Sequence, residues 1–163
     1  MCAVTAPVAL ALQVLVPLLA EFAHAHPRVR LELDLSDRLV PPAAEGFDQA
    51  VRHSFAPLET HVAWRLCDSR SVLVAAPACL RTAAAPAHPA ALAQRPCLHD
   101  PRPGARPLWT FEPVDGGERV TVPVGGPLAA NNSEALRDAA LQGLGIALVP
   151  DFSARRVGRR AAA

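Results

Sequence analysis

Eight residues at three places in the chain are the candidates for binding chemistry. They lie between a strand and a helix, at the end of a strand, and at the start of a second helix: Thr5, Ala6, Pro7, Arg52, His53, Asn131, Asn132 and Ser133. The first turn of a helix presents free backbone N–H groups and the positive end of its dipole, which together bind anions. An arginine that ends a strand can bind a carboxylate through two parallel N–H groups. The residue types therefore predict a site for a small anion.

Each of these three groups also has a purely structural interpretation. Thr5 can simply end its strand and Pro7 can open the helix that follows, since proline suits the first helical position. Arg52 and His53 can be solvated surface side chains. The group at residues 131–133 is explained by helix capping alone, because Asn and Ser side chains accept hydrogen bonds from the first helical N–H groups. From the residues alone, the binding and the structural interpretations both stay open.

The residue spacing argues against catalysis and against metal binding. The sequence has no nucleophile elbow, no glycine-rich phosphate loop and no HExxH motif. Its histidines do not stand at metal-ligand spacing, and its four cysteines form no CxxC pair. The cysteines are therefore expected to be reduced thiols. We predict a protein that is not an enzyme, with no catalytic residue, no metal and no cofactor.

The clearest folding unit predicted from the sequence lies late in the chain, over residues 128–152. Capping residues at 131–133 precede a helical pattern whose apolar residues recur at three- and four-residue spacing. Gly143 follows the last periodic residue, where a helix commonly stops. Residues 146–149 then predict a buried strand, which Pro150 closes.

The rest of the pattern predicts an α/β fold. Before residue 77 we expect a helix from Pro7 to about residue 25 and strands over residues 3–5, 29–35, 47–52, 62–66 and 71–76. The later part predicts a weak helix over 78–83, a proline-rich connection over 86–103, and a hairpin of 109–112 with 119–124. Strands that alternate with helices favour a mainly parallel sheet.

Composition and charge narrow the class of protein further. The chain has 163 residues, 51% of them apolar and 19% charged, which is typical of a globular domain with a core. Its formal net charge of +1 offers no basic field to nucleic acid. No Lys or Arg precedes Arg28, as a signal peptide would need, and Pro7 and Pro17 interrupt the apolar run near the N-terminus. We therefore predict neither a cleaved signal nor a membrane span.

Three stretches of the chain resemble one protein family. They are LVPLLAEFAHAHPRVRLELDLSDRLV with EGFDQAVRH (residues 15–53), RSVLVAAPACL with HPAALAQRPCL (residues 70–98), and LAANNSEALRDAALQGLGIALVPDF (residues 128–152). In this order they resemble the effector-binding (substrate-binding) domain of LysR-type transcriptional regulators. The resemblance implies an α/β fold of two Rossmann-like subdomains with a cleft between them, similar to type 2 periplasmic binding proteins. The first subdomain would cover residues 1–72 and the second, incomplete, residues 73–163.

The resemblance also implies function and partners. A small anionic metabolite would bind between the subdomains and control transcription in the cytoplasm, and the eight candidate residues would contact it. Two chains would form a homodimer or mixed dimer, with helix 8–25 of one against helix 133–142 of the other. The family binds DNA through a winged helix-turn-helix, which is absent from this sequence, as are the family's C-terminal closing elements. The alternatives are an exported periplasmic solute-binding protein and a non-functional truncated fragment.

Overall fold

The computed structural model describes residues 1–38, 46–53, 62–82, 84–101 and 104–154, and the chain divides into two units, Met1–Arg70 and Ser71–Ala163. Both units combine helices with strands, in agreement with the predicted α/β class. The predicted division fell at residues 72 and 73. The strand that begins at Ser71 pairs with strand Ile146–Pro150, so it is part of the second unit.

The first unit is built on a parallel sheet of three strands. Strand β1 (Cys2–Ala6) lies between β2 (Leu31–Leu35) and β3 (Gln49–Ala50), and it runs parallel to both. All three strands were predicted, but β2 and β3 are shorter than expected. Strand β2 begins late because the Val29 N–H bonds to the His26 carbonyl in a turn after the helix.

Helix α1 (Val8–Ala25) connects β1 to β2. Its segment Ala11–Leu15 is a wider π-helix that ends two residues before Pro17, which has no N–H to donate to the preceding turn. The helix continues through Pro17 to Ala25, in agreement with the helix predicted from Pro7 to about residue 25. With 18 residues and a mean hydropathy of 1.8, α1 is long and apolar enough to cross a membrane. That criterion is also met by core helices and by N-terminal signal sequences.

The second unit contains a mixed sheet and a separate hairpin. Its elements in chain order are β4 (Ser71–Val74), α2 (Pro77–Thr82), a 3-10 helix (Pro89–Gln94), β5 (Cys97–Leu98), β6 (Leu108–Phe111), β7 (Val120–Pro123), α3 (Ser133–Leu141) and β8 (Ile146–Pro150). In the sheet, β8 is central, antiparallel to β4 and parallel to β5. Strands β6 and β7 form the predicted antiparallel hairpin.

Two expectations for the middle of the chain were wrong. Residues 62–66 form no strand, although their apolar residues alternate, and Val62, Trp64 and Leu66 are 79%, 79% and 74% exposed. The connection predicted over 86–103 contains the 3-10 helix and β5 instead. Among its prolines stand Leu92, Cys97 and Leu98, and these side chains are fully buried. Burial of apolar side chains thus orders a segment that its proline content marked as irregular.

Among the residues that the structure describes, the second unit has the larger buried core. It consists of two groups of buried residues: Leu92, Cys97, Trp109, Val122, Val124 and Ile146 in one, and Leu98, Leu136, Ala140, Ala147 and Val149 in the other. In the described part of the first unit, the buried apolar residues are small: Val4, Ala6, Ala9 and Ala11. Helix α1 leaves several larger apolar side chains exposed, namely Leu12, Val16, Leu18 and Phe22.

Candidate functional site

Three side chains meet where the parallel strands of the first unit end. Thr5 on β1 stands opposite Asp34 on β2, and Arg52 follows β3 by two residues. The Thr5 hydroxyl donates a hydrogen bond to Asp34 Oδ1 at 3.4 Å and accepts one from Arg52 Nη2 at 3.0 Å. We call Thr5, Asp34 and Arg52 the strand-end cluster. Ligands of α/β sheets bind beyond the carboxyl ends of the strands, which is where this cluster lies.

The members of the strand-end cluster differ in exposure. Thr5 is fully buried, Arg52 is half-buried and Asp34 is exposed. The guanidinium of Arg52 is also held by the carbonyl oxygen of Val51, which accepts from Nη1 at 3.2 Å. His53, the next residue, is exposed. The cluster therefore presents one cation and one carboxylate to solvent, while the hydroxyl between them is enclosed.

The start of helix α1 is capped by a residue from another part of the chain. Pro7 provides no side-chain cap, and the Val8 N–H instead donates to Asp37 Oδ1 at 3.1 Å. The Ala6 carbonyl accepts from the Ser36 N–H at 3.0 Å, which holds the segment after β2 against this helix start. A carboxylate at the positive end of a helix dipole is a favourable arrangement. The Val8 N–H, one of the helix-start groups predicted to bind an anion, therefore already has Asp37 as its acceptor.

The start of helix α3 is capped by its own first residues. The Asn132 side chain accepts from the N–H groups of Glu134 and Ala135, both at 3.0 Å, which confirms the predicted cap. The Ser133 hydroxyl lies 3.1 Å from the hydroxyl of Ser153, and Asn131 is exposed. The structure therefore engages Asn132 and Ser133 in contacts within the second unit.

Arg137 on helix α3 was missed by the sequence analysis. It is only 7% exposed, and its Nη1 donates to the carbonyl oxygen of Ser153 at 3.1 Å. Its Nε and Nη2 bind Asp138, and Glu134 lies 3.7 Å from Nη1. The only local signal was the Glu134–Arg137 spacing of three residues, which places two opposite charges on one helix face. With carboxylates on both sides, Arg137 joins α3 to the helical residues 151–154 and serves packing.

The second unit also contains a cavity of about 320 Å³ next to helix α2. Its lining is mostly apolar or backbone, and it includes Cys79, whose Sγ donates to the Gly143 carbonyl at 3.3 Å. Arg95 supplies the charge in the lining. Within the described ranges, no group of three or more His, Cys, Asp or Glu residues is arranged to hold a metal ion.

A family model described as the LysR substrate binding domain matches residues 2–161 of the chain. The chain belongs to the LysR substrate-binding domain family. It is similar to the HTH-type transcriptional regulator DmlR of Escherichia coli (strain K12), with 32% identity over 137 residues, 83% of this chain and 44% of DmlR. The uncharacterized HTH-type regulator YhjC of the same organism is 33% identical over 157 residues, 94% of this chain and 52% of YhjC. The chain thus spans about half the length of these relatives.

Solved structures of LysR regulatory domains share the fold. The regulatory domain of CrgA from Neisseria meningitidis superimposes with a TM-score of 0.77 at 27% identity, covering 98% of this chain and 76% of that one. The effector domain of AmpR from Pseudomonas aeruginosa gives a TM-score of 0.74 at 26% identity, covering 97% of this chain and 74% of that one. The predicted family, its type 2 periplasmic-binding-protein-like fold and its role as an effector-binding domain are confirmed.

Proposed function

We propose that this LysR-family domain binds a small organic anion at the strand-end cluster, with Arg52 as the residue that contacts the anion. The observation that carries this proposal is the position of the guanidinium. It is half-buried at the carboxyl edge of a parallel sheet and is oriented by the Thr5 hydroxyl and the Val51 carbonyl. An oriented guanidinium loses less conformational freedom when it binds a carboxylate than a mobile side chain does.

The other residues predicted to bind the ligand have different support. Ala6 and Pro7 join β1 to α1 beside the cluster, and His53 follows Arg52 directly, so all three are proposed as neighbours of the ligand. Asn131, Asn132 and Ser133 are proposed as ligand contacts on the family resemblance. A cap can also face a ligand, so the hydrogen bonds of Asn132 do not conflict with that role.

The role of the domain in a whole regulator is also part of the proposal. The relatives are transcriptional regulators, which supports a cytoplasmic, non-enzymatic domain that controls transcription by an attached winged helix-turn-helix. We propose pairing of two chains through α1 of one and α3 of the other. The exposed apolar residues Leu12, Val16, Leu18 and Phe22 on α1 support this, since association would bury them. Residues 1–72 and 73–163 are proposed as the two effector subdomains.

One observation bears on the exported solute-binding alternative. Helix α1 has the hydropathy of a signal sequence and lies near the N-terminus. However, removal of α1 as a cleaved signal sequence would also remove β1, the central strand of the first sheet, together with Thr5 of the strand-end cluster. The regulator domain is therefore the better supported of the two functions.

Thermal unfolding with a panel of small carboxylates at millimolar concentration tests the proposal. A ligand that binds only the native state raises the unfolding temperature, because it shifts the equilibrium by mass action. We expect at least one carboxylate to do so, and we expect Arg52→Gln to weaken its affinity about tenfold or more, as for loss of a charged hydrogen bond. Arg95→Gln, which removes an arginine beside the cavity of the second unit, is the matched control and should keep the affinity.

Two results would contradict this function. In the first, no carboxylate changes the unfolding temperature of the wild-type chain. In the second, a carboxylate stabilises the wild-type chain and Arg52→Gln equally well, which would place the ligand away from the strand-end cluster.

A further inference from the structure

The strand-end cluster contains a carboxylate that a simple anion site would not need. Asp34 is exposed, and its Oδ1 accepts a hydrogen bond from the same Thr5 hydroxyl that Arg52 contacts. Building on the proposed function, we propose that Asp34 determines specificity. The ligand then carries a hydrogen-bond donor, a hydroxyl or an ammonium group, on the carbon next to its carboxylate.

The separation of the two charges supports this inference. Arg52 Nη2 lies 3.0 Å from Thr5 Oγ1, and Asp34 Oδ1 lies 3.4 Å from the same atom. The guanidinium and the carboxylate are therefore no further apart than the sum of these two distances. A ligand carboxylate on Arg52 would stand close to a like charge, which repels it. A donor on the adjacent carbon would turn that unfavourable contact into a charge-assisted hydrogen bond.

The direction of the hydrogen bonds is fixed by chemistry. A guanidinium has donors and no acceptor, so Thr5 can only accept from Arg52. The single hydroxyl proton of Thr5 is then free to be donated to Asp34. Because Thr5 is fully buried, it positions its two neighbours and does not itself meet the ligand.

Asp34 has acceptor capacity left for a ligand. An ionised carboxylate offers about four lone-pair positions. In the part of the chain that the structure describes, Thr5 is the donor that binds it, at one oxygen. The remaining positions face solvent on an exposed side chain, so a ligand hydroxyl or ammonium group can reach them.

The experiment compares ligands that differ in one donor. Isothermal titration calorimetry measures the affinities of succinate and malate, and of propionate, lactate and alanine, for the wild-type chain and for Asp34→Asn. Malate carries a hydroxyl that succinate lacks, and lactate and alanine carry a hydroxyl and an ammonium group that propionate lacks. In the wild type we expect the ligand with the donor to bind about tenfold or more tightly than its parent, because it gains one charged hydrogen bond. Lactate against alanine tells whether the donor is a hydroxyl or an ammonium group.

Asp34→Asn keeps the size of the side chain and one carbonyl oxygen but removes the charge. We expect this variant to bind succinate and propionate more tightly than the wild type does, because Asp34 no longer repels the ligand carboxylate. The affinity ratio of a donor-bearing ligand to its parent should fall to about threefold or less. Glu32→Gln is the matched control, since Glu32 is an exposed carboxylate on the same strand, two residues earlier, and should leave the preference unchanged.

The outcomes separate the two proposals. In one outcome, carboxylates bind in a way that depends on Arg52, but malate has the same affinity as succinate, and lactate and alanine have the same affinity as propionate. The specificity role of Asp34 is then overturned and the binding function stands. A preference that survives in Asp34→Asn also overturns the role of Asp34 alone. If no member of either series binds the wild-type chain while another small carboxylate does so through Arg52, the specificity role of Asp34 is overturned and the binding function stands. If no carboxylate of the wider panel binds, the binding function fails, and the role of Asp34 fails with it.

Discussion

The starts of helices α1 and α3 have the same predicted role in the sequence but different caps in the structure. Helix α3 is capped by Asn132, which binds two N–H groups within the next three residues. Helix α1 has no cap of its own and depends on Asp37, which lies 29 residues away from Val8 in the sequence. The cap of helix α1 therefore forms only when the fold brings a distant carboxylate to the helix start. The cap of helix α3 needs only residues next to it in the sequence.

The same difference runs through the two units. The second unit has a core of large apolar side chains around β5 and β8, and its polar groups hold its own elements together. The described part of the first unit buries small apolar residues and brings the charged side chains of Asp34 and Arg52 together at the strand ends. Among the described residues, the large buried side chains therefore lie in the second unit, whereas the charged groups that meet at strand ends lie in the first. Functional residues commonly lie where packing does not already decide the residue type.

The sharpest test of packing in the second unit is Gly145→Ala. A Cβ at this position would lie 2.5 Å from the Pro96 carbonyl oxygen, which is too close for any side chain. Because the neighbour is backbone, β5 or β8 must move, and we expect the free energy of unfolding to fall by about 2–3 kcal/mol in urea denaturation. Gly125→Ala is the control, since a Cβ there meets nothing within 4 Å. Equal stabilities of the two variants would mean that this strand contact tolerates extra volume.

The two helix starts are compared directly by Asn132→Ala and Asp37→Ala. Loss of the local cap should cost about 1 kcal/mol of unfolding free energy, since two N–H groups lose their acceptor. Loss of Asp37 should cost about 0.5–1 kcal/mol, because one N–H and a favourable helix-dipole interaction are lost. Both values are measured by urea denaturation at low and high salt.

Salt and a conservative variant distinguish the two caps. The Asp37→Ala effect should shrink at high salt, which screens the charge, while the Asn132→Ala effect should not. Asp37→Asn keeps an acceptor for the Val8 N–H and should recover part of the loss. If Asp37→Ala were as stable as the wild type in low salt, the long-range cap would contribute nothing and the comparison would fail.

The smallest effect near neutral pH concerns Cys97 in the core of the second unit. Burial raises the pKa of its thiol from 9.0 to about 11, although the charge of Arg95 opposes the rise. Below pH 9 the thiol is protonated in the folded and unfolded chains alike, so its stabilising contribution is fully present. As the pH rises from 9 towards 11, the unfolded chain loses this proton first, and stability falls.

We expect the free energy of unfolding to be lower by about a few tenths of a kcal/mol at pH 9, and we expect this loss to grow at higher pH. The sequence has no Tyr and no Lys, so few other side chains titrate in this range. Cys97→Ser provides the control, because a serine hydroxyl does not titrate in this pH range. The free energy of unfolding of this variant, measured by urea denaturation at each pH, should not show the same fall above pH 9. The same slope in both proteins would show that Cys97 is not its source.

The elements predicted best from sequence are those whose stabilising contacts are local. Helix α3, its Asn132 cap and strand β8 follow from a capping residue, a repeated apolar face and a glycine stop, all within about 20 residues. Gly143 has φ +83°, the left-handed conformation that glycine adopts most easily at a helix end. The hairpin of β6 and β7 is equally local, and Gly116 and Gly117 supply the positive φ angles of its turn.

The candidate site was predicted only in part, because its partners come from distant parts of the chain. The sequence predicts Thr5 and Arg52 as separate site residues, because each stands at the end of a predicted strand. Asp34 and Asp37 were missed, since nothing near them in the sequence indicates that one will contact Thr5 and the other will cap Val8. The strand predicted over residues 62–66 failed for a related reason, because alternation of apolar residues does not by itself provide a pairing partner.

By itself, the sequence determined the α/β class and the locally capped elements of this protein, because these depend on periodicity, capping residues and turns that span a few residues. The family was predicted separately, from the resemblance of three stretches of the chain. Only the tertiary structure decided which polar groups meet at the strand ends. Parallel pairing of β1 with β2 and β3 brings Thr5 to Asp34 across 29 residues and to Arg52 across 47. Such contacts form once the chain between them has closed into a loop, so the pairing of strands, rather than local preference, selects the partners.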